Sequence, residues 1–359
     1  MTPFDHPDFD GHEEVLFCHD RASGLQAIIA VHDTRLGPAL GGCRMQPYPD
    51  PTAALGDVLR LARAMTYKAA LAGLDLGGGK SVILGDPARD KTPARLEAMG
   101  RFVEGLGGRY WVAEDAGIGV ADVRVMARAT RWAAGIERRR DPTGRWVDAD
   151  PSPATAWGVF RGIEAALAVV YGDPALRGRR VAVQGLGQVG ARLAAHLARA
   201  GARLWVCDRR ARRAAVLARR LGAEVVAPEA IFTVPVDVFA PCALGGVIDA
   251  RTAETLRCRI VAGAANNPLT DADVAERLAA RGIVFVPDFA INAGGIVNIA
   301  AAAAGLDAAG VQRRIEAIGD TVRRILERAA AEGRTPLAVA EALARARLEA
   351  AQRNGPRTS

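Results

Sequence analysis

Only three lysines occur in the 359 residues, Lys68, Lys80 and Lys91, and the other 44 of the 47 basic side chains are arginines. Arginine therefore serves wherever a permanent positive charge suffices. A retained lysine is a candidate for work that requires losing a proton near neutral pH. Lys68, in Met65-Thr66-Tyr67-Lys68, continues by helical spacing an apolar stripe of Val58, Leu61 and Met65. That directs it inward, where an unpaired ammonium is costly; a snorkelling side chain near a helix end is the alternative. Lys80 follows Gly77-Gly78-Gly79 and precedes a strand expected from Ser81. Such glycines let backbone come close to a ligand or another strand, or simply make a turn beside an incidental lysine. A Walker A loop is excluded, because G-x-x-x-x-G-K-[ST] is absent. Asp115 closes the strand expected over 110–113, beside Gly117; it suits a reactive site, or forms a turn.

These parts suit one chemistry. Two lysines held close repel, so one tends toward the neutral amine and can activate water as a general base. The other stays charged and can hold a carboxylate. A neighbouring carboxylate can exchange protons with an amino group.

A second motif supplies a hydride acceptor. Gly185-Leu186-Gly187-Gln188-Val189-Gly190 fits G-x-G-x-x-G between an apolar strand and a helix, the context that dinucleotide binding needs. Gly185 permits the turn, Gly187 admits the pyrophosphate, and Gly190 lets helix and sheet pack. Asp208, 23 residues after Gly185, is placed to accept from the ribose hydroxyls and to repel a 2′-phosphate. NAD is therefore expected over NADP, although Arg209 and Arg210 adjoin it and could receive such a phosphate.

The elements that must position these residues fall into two domains with a C-terminal extension. Residues 1–150 read as a mixed α/β substrate and oligomerisation domain. Strands are expected at 15–18, 25–31, 81–84 and 110–113, and helices from Thr52 to Leu71, with Thr52 as N-cap, and from Pro93 to about Leu106. The polar, proline-bearing stretch 137–153 reads as the interdomain connection. From Arg180, strands at 180–184, 203–207, 236–239, 260–262 and 283–286 alternate with helices, the pattern of a doubly wound Rossmann-type sheet over 151–332. The fold class is α/β, with a cleft expected between the domains. Residues 333–359 read as a C-terminal helix packing back on the first domain, after a break near Gly333 and Pro336.

Bulk properties remove other classes. The five cysteines are scattered, without C-x-x-C or metal-ligand spacing, and the five histidines are dispersed, so no metal is expected. Net charge is +7, but the arginines are spread over helix faces, which reads as solvated surface rather than a nucleic-acid site. No apolar run approaches the roughly 18 residues of a membrane span, and the acidic N-terminus is unlike a signal peptide. A cytoplasmic protein that engages neither nucleic acid nor membrane is expected.

Along nearly its whole length the chain resembles the glutamate/leucine/phenylalanine/valine dehydrogenase family, most of all its leucine members. The matching segments are HDTRLGPALGGCRM (32–45), LARAMTYKAALAGLDLGGGKSVILGDP (61–87), GRYWVAEDAG (108–117), PSPATAWGVFRG (151–162), VQGLGQVG (183–190), FAPCALGG (239–246), AGAANNPL (262–269) and PDFAINAGGIVN (287–298). The resemblance implies reversible, NAD-dependent oxidative deamination of an aliphatic L-amino acid (leucine, also valine and isoleucine) to the 2-oxo acid and ammonium. It implies that Lys80 activates the water that hydrolyses an imine, and that Lys68 binds the α-carboxylate with help from Gly42 backbone and Asn292. Asp115 moves the proton to and from the amino group. Thr155, Cys242, Ala243 and Asn267 lie along the nicotinamide end of the cofactor. Leu40, Ala113, Ile296 and Ile299 form an apolar wall, with Met65 also in the substrate-binding set. Leu40 and Ile299 stand where glutamate-specific members use a lysine and a serine, so a second carboxylate is left unpaired. The resemblance further implies a homo-oligomer, octameric or dimeric. Ala134 in place of a threonine, and Gly117-Ile118-Gly119 in place of Gly-Thr-Thr, depart from the leucine pattern and keep phenylalanine and valine open as substrates. A non-catalytic NAD-binding regulator and a nucleic-acid binder are the readings from other classes.

Overall fold

In the computed structural model, which describes residues 3–140, 146–148, 150–243, 245–303 and 306–353, the apolar runs of the first 150 residues become a five-stranded sheet. In chain order the elements are β1 (Glu14–Asp20), β2 (Leu25–Asp33), β3 (Ala39–Gln46), α1 (Pro51–Leu71), β4 (Gly77–Leu84), α2 (Pro93–Gly105), β5 (Tyr110–Glu114) and α3 (Val120–Met126). The strand order is β1-β2-β4-β3-β5. β2 runs antiparallel to both β1 and β4, whereas β3 runs parallel to both β4 and β5. Alternation along β2 and β4 feeds two cores. Ile28, Ala30 and Val82 pack with Val58, Leu59 and Ala62 of α1. Ile29, Val31 and Ile83 pack on the other face with Met99 of α2, Tyr110 and Met126 of α3.

Several boundaries differ from the expectation for physical reasons. The N-cap of α1 is Asp50, whose carboxylate accepts from Ala53 N at 2.8 Å, with Pro51 in the first turn in place of a Thr52 cap. β3, which contains Gly41 and Gly42, was not expected because glycine disfavours strands. The run Gly77–Gly79 is strand, not turn. A Cβ on Gly78 would collide with the backbone nitrogen of Thr66 in α1, and one on Gly79 would lie 2.7 Å from the Tyr110 ring. Glycine is required there because helix and aromatic ring press on both faces of the strand. Lys80 consequently sits within β4, in phase with Gly78 and Val82 on the face that α1 covers.

The expected connection over 137–153 lies partly outside the described residues, at 141–145 and 149. Its described part includes an antiparallel ribbon, β6 (Arg138–Arg140) with β7 (Trp146–Asp148). The second unit, 151–343, has α4 (Ser152–Tyr171), β8 (Arg180–Gln184), α5 (Gln188–Arg199), β9 (Arg203–Cys207), α6 (Ala211–Leu221), β10 (Glu224–Val225), β11 (Val238–Pro241), α7 (Ala250–Thr255), β12 (Ile260–Val261), α8 (Asp273–Ala280), β13 (Val284–Phe285), α9 (Asp288–Ile291), α10 (Gly294–Ala303) and α11 (Ala308–Glu332). Its six strands are all parallel, in the order β10-β9-β8-β11-β12-β13. The order reverses between β8 and β11, the doubly wound pattern whose ligands bind beyond the carboxyl ends of the strands.

A last helix, α12 (Pro336–Arg353), begins in the second unit and from Ala344 belongs to the first. There Arg345 donates to Tyr67 Oη at 2.9 Å, and Arg347 donates to Ala70 O at 2.6 Å, closing the C-terminal carbonyls of α1. Among the described residues no helix is long and apolar enough to cross a membrane.

Beneath α1 lie two buried histidines. His12 Nε2 donates to Leu59 O at 3.0 Å, and His32 Nδ1 bonds Thr66 Oγ1 at 2.8 Å. Burial, and secondly the neighbouring His12, lower His32 from 6.5 to about 4.

Two outcomes follow. Gly78→Ala forces Thr66 away and costs about 3 kcal/mol in denaturant unfolding, whereas Gly105→Ala, with open space around it, is neutral or slightly stabilising. As pH falls from 6.5 to 4 the unfolded chain protonates His32 and the folded one does not, so the stability present above 6.5 is lost by about 3 kcal/mol across that window. Unfolding of His32→Asn at pH 7 and pH 4 should show a shallower fall than wild type; equal slopes would refute the assignment.

Candidate active site

The close packing of α1 on β4 is what buries both lysines, Lys68 at 9% and Lys80 at 4% exposure. Lys80 Nζ lies 3.1 Å from Asp115 Oδ2. Asp115 is held at the end of β5 by a turn in which its backbone N–H donates to Ile118 O at 3.1 Å. Gly42 makes room for it, since a Cβ there would lie 2.8 Å from Asp115 Cβ. The same Oδ2 accepts from Arg44 Nε at 2.8 Å. Arg44 donates through its NH1 to Asp57 Oδ2 at 3.0 Å, and Tyr48 Oη donates to that Asp57 oxygen at 2.7 Å. One row of side chains therefore runs Lys80, Asp115, Arg44, Asp57, Tyr48.

Burial alone pushes the Asp115 carboxyl upward, but the charges of Lys80 and then Arg44 outweigh it and bring Asp115 down to about 2. The near partner of Lys80 is thus an anion, where the sequence set a second lysine against it. Arg44, Asp57 and Tyr48 were missed by sequence reasoning. A signal was present: Asp57 is the one acidic residue of α1 and lies three turns from Lys68 on the same helix face. The third lysine has a structural place, with Nζ donating to Gly117 O at 3.0 Å and to Asp122 Oδ2 at 2.8 Å. Of the expected substrate wall, Leu40 and Ala113 are buried in this unit and Met65 is half-buried.

Asn292, Ile296 and Ile299 belong to the second unit; Asn292 and Ile296 are buried and Ile299 is half-buried. Asn292 Nδ2 donates to Ala264 O at 3.1 Å and to Asn266 Oδ1 at 2.8 Å, while its Oδ1 is buried with no partner among the described residues. The Ala264 carbonyl can only accept, which fixes the amide orientation. Asn292 thus has its Nδ2 engaged within the second unit and its Oδ1 available as an acceptor.

The glycine loop has the form a dinucleotide needs. Gly185 adopts φ +89°, and a Cβ on it would lie 2.8 Å from Ala243 N. A Cβ on Gly190 would collide with Gly185 O, whereas one on Gly187 would point into open space. Helix α5 starts after Gly187 without a side-chain cap, so its first N–H groups are suited to a pyrophosphate. Leu186 is buried, Val189 half-buried and Gln188 exposed. Asp208 accepts from Leu186 N at 2.9 Å and Arg210 N at 2.8 Å, with Arg213 at 3.5 Å. Despite burial, these donors lower its carboxyl. Thr155 Oγ1 donates to Pro151 O at 3.1 Å. Cys242, pushed up to about 12 by burial, is a neutral thiol. Asn267 is the one non-glycine with positive φ among the described residues, at 46°, and its N–H donates to Asp288 at 2.9 Å. Strain of this kind gathers at functional sites. The residues present fit a nicotinamide dinucleotide.

Comparison with known proteins agrees with this chemistry. The model of the Glu/Leu/Phe/Val dehydrogenase dimerisation domain matches residues 12–132, and that of the Glutamate/Leucine/Phenylalanine/Valine dehydrogenase domain matches 206–354. The chain belongs to this family. Leucine dehydrogenase of Thermoactinomyces intermedius is 44% identical over 97% of this chain and 94% of its own length. Valine dehydrogenase of Streptomyces virginiae is 44% identical over 97% and 96%. The crystal structure of L-tryptophan dehydrogenase from Nostoc punctiforme superposes with a TM-score of 0.80 at 41% identity, covering 95% of this chain and 97% of that one. This Glu/Leu/Phe/Val family member is therefore an amino acid dehydrogenase, an oxidoreductase of the NAD(P)-dependent kind.

Two glycine variants separate cradle from packing. Gly187→Ala should leave unfolding stability within about 0.5 kcal/mol and weaken NADH binding measured by fluorescence. Gly190→Ala should cost about 3 kcal/mol as well as binding.

Proposed function

We propose that the chain catalyses the NAD-dependent, reversible oxidative deamination of leucine, and of valine and isoleucine, to the 2-oxo acid. The reaction balances as L-amino acid, NAD⁺ and water giving 2-oxo acid, ammonium, NADH and a proton. NAD, bound at the glycine loop with its ribose on Asp208, supplies the hydride acceptor. The chain's own side chains do the rest. Lys68 holds the α-carboxylate beside Gly42. Asp115, an anion, accepts from the substrate's amino group. Lys80, its proton released to solvent, takes one from the water that hydrolyses the substrate imine and returns it to the departing ammonia. Asp115 moves the proton to and from that amino group, and the cations beside it favour the carboxylate as its resting form. The single observation that carries this reading is the buried Lys80–Asp115 pair, on the sheet face covered by the helix that bears Lys68.

Leu40 and Ala113, buried in the first unit, supply apolar surface and no cation, which disfavours glutamate. The valine dehydrogenase of Streptomyces virginiae matches as well as the leucine enzyme, and valine is the second reading for the preferred substrate. Assembly as a homo-oligomer, octamer or dimer, is part of the proposal.

The test is kcat/KM on leucine, valine, isoleucine, phenylalanine and glutamate with NAD⁺ and NADP⁺. Leucine with NAD⁺ should lead and glutamate should be at background. Lys80→Ala should keep NADH binding and lose about 10²–10⁴ in turnover, the range of a general base. Glutamate turnover, or an active Lys80→Ala, would refute the reading.

A further inference from the structure

We propose that Arg44, braced by Asp57 and Tyr48, is a positioning residue that holds the Asp115 carboxylate in place and keeps a positive charge beside it throughout turnover. The inference rests on the roles proposed above for Lys80 and Asp115 and extends them to residues that have none. Asp115 has two cationic neighbours on one oxygen, Lys80 at 3.1 Å and Arg44 at 2.8 Å. They are not equivalent. Lys80 acts as a base only as a neutral amine, and in that state Asp115 loses one of its two counter-charges. Arginine does not deprotonate in this range, so Arg44 is the charge that remains.

Geometry equips Arg44 for this. Its Nε meets Asp115 and its NH1 meets Asp57 at 3.0 Å, so the planar fork is fixed at two points. Asp57 is in turn fixed by the Tyr48 hydroxyl at 2.7 Å. Both cations meet Oδ2. Two of the titratable groups nearest Asp115 carry no charge. Cys43 from β3 is pushed up to about 12 and Tyr110 from β5 well above its usual value, both chiefly by burial. Lys91 and Asp122, across the 115–118 turn, neutralise each other at 2.8 Å. From α1, Asp57 faces Arg44, and Lys68 is the buried cation on that helix, which also carries Arg60 and Arg63. Loss of Arg44 therefore leaves the state of Asp115 dependent on a lysine whose own charge changes during the reaction.

The experiment compares wild type, Arg44→Met, Arg44→Ala and Asp57→Asn as full-length protein. In Arg44→Met the acid limb of the kcat/KM profile for leucine should move up by about one pH unit or more. KM for leucine and for ammonia should rise about tenfold while KM for the 2-oxo acid and NADH affinity stay put. Asp57→Asn, which keeps the arginine but loosens it, should move the same quantities less, and guanidinium ion should partly restore Arg44→Ala. A merely structural role would lower kcat without displacing the profile. If Arg44→Met fails to fold, Asp57→Asn decides. Folded variants with wild-type pH limbs and wild-type KM for leucine and ammonia overturn the proposal. Failure of the wild type to oxidise any amino acid would overturn the functional reading instead. In that case acid unfolding still reads the Arg44–Asp115 contact: its midpoint should lie at higher pH in Arg44→Met, and an unchanged midpoint overturns it.

Discussion

A single carboxylate oxygen, Asp115 Oδ2, shared by a lysine and an arginine, is the interaction around which the first unit is arranged. Removing one partner of a buried pair costs about 3–5 kcal/mol, so the fold has reason to keep all of them in place. Arg44 and Lys80 carry positive charge, Asp57 and Asp115 negative charge, and the four sum to zero in a region that water barely reaches. Within that balance one proton on Lys80 can leave without stranding an unpaired carboxylate, because Arg44 persists. Neutrality and reactivity are compatible only because one cation of the two is a lysine.

Everything upstream in the sequence serves that placement. Glycine at 78 lets α1 reach the sheet, and the phase of β4 then puts Lys80 on the covered face. Glycine at 42 lets the end of β5 bring Asp115 alongside. The histidine pair beneath α1 and the arginines of α12 at its C-terminus tie the helix down from below and behind. The second unit works by backbone: an uncapped helix start, a glycine aimed at open space, and an asparagine whose only unused atom is an acceptor. Charge chemistry and cofactor binding are thus built by different means in different parts of the chain.

Much of this could be read from the residues. Periodicity placed α1 and the alternating strands of the second unit, since long amphipathic or strictly alternating runs leave few alternatives. The lysine shortage singled out two of the three right candidates for burial, and the context of the glycine loop was unambiguous. What failed was local and glycine-related. Gly41, Gly42 and Gly77–Gly79 look like turns because their strand conformation is imposed by what presses against them, which only the tertiary structure reveals. Arg44 was hidden among 44 arginines, and its importance comes from partners on α1 and β5 that no spacing rule links.

The scarcity of lysine also provides the most direct test of the central claim. With ¹⁵Nζ-lysine labelling the protein gives at most three side-chain signals, assignable by single Lys→Arg substitutions. Titrating the NADH-bound protein with 4-methyl-2-oxopentanoate should move the signals of Lys68 and Lys80 and leave that of Lys91 in place. A titration in which the Lys68 and Lys80 signals stay fixed while substrate binds would contradict the account.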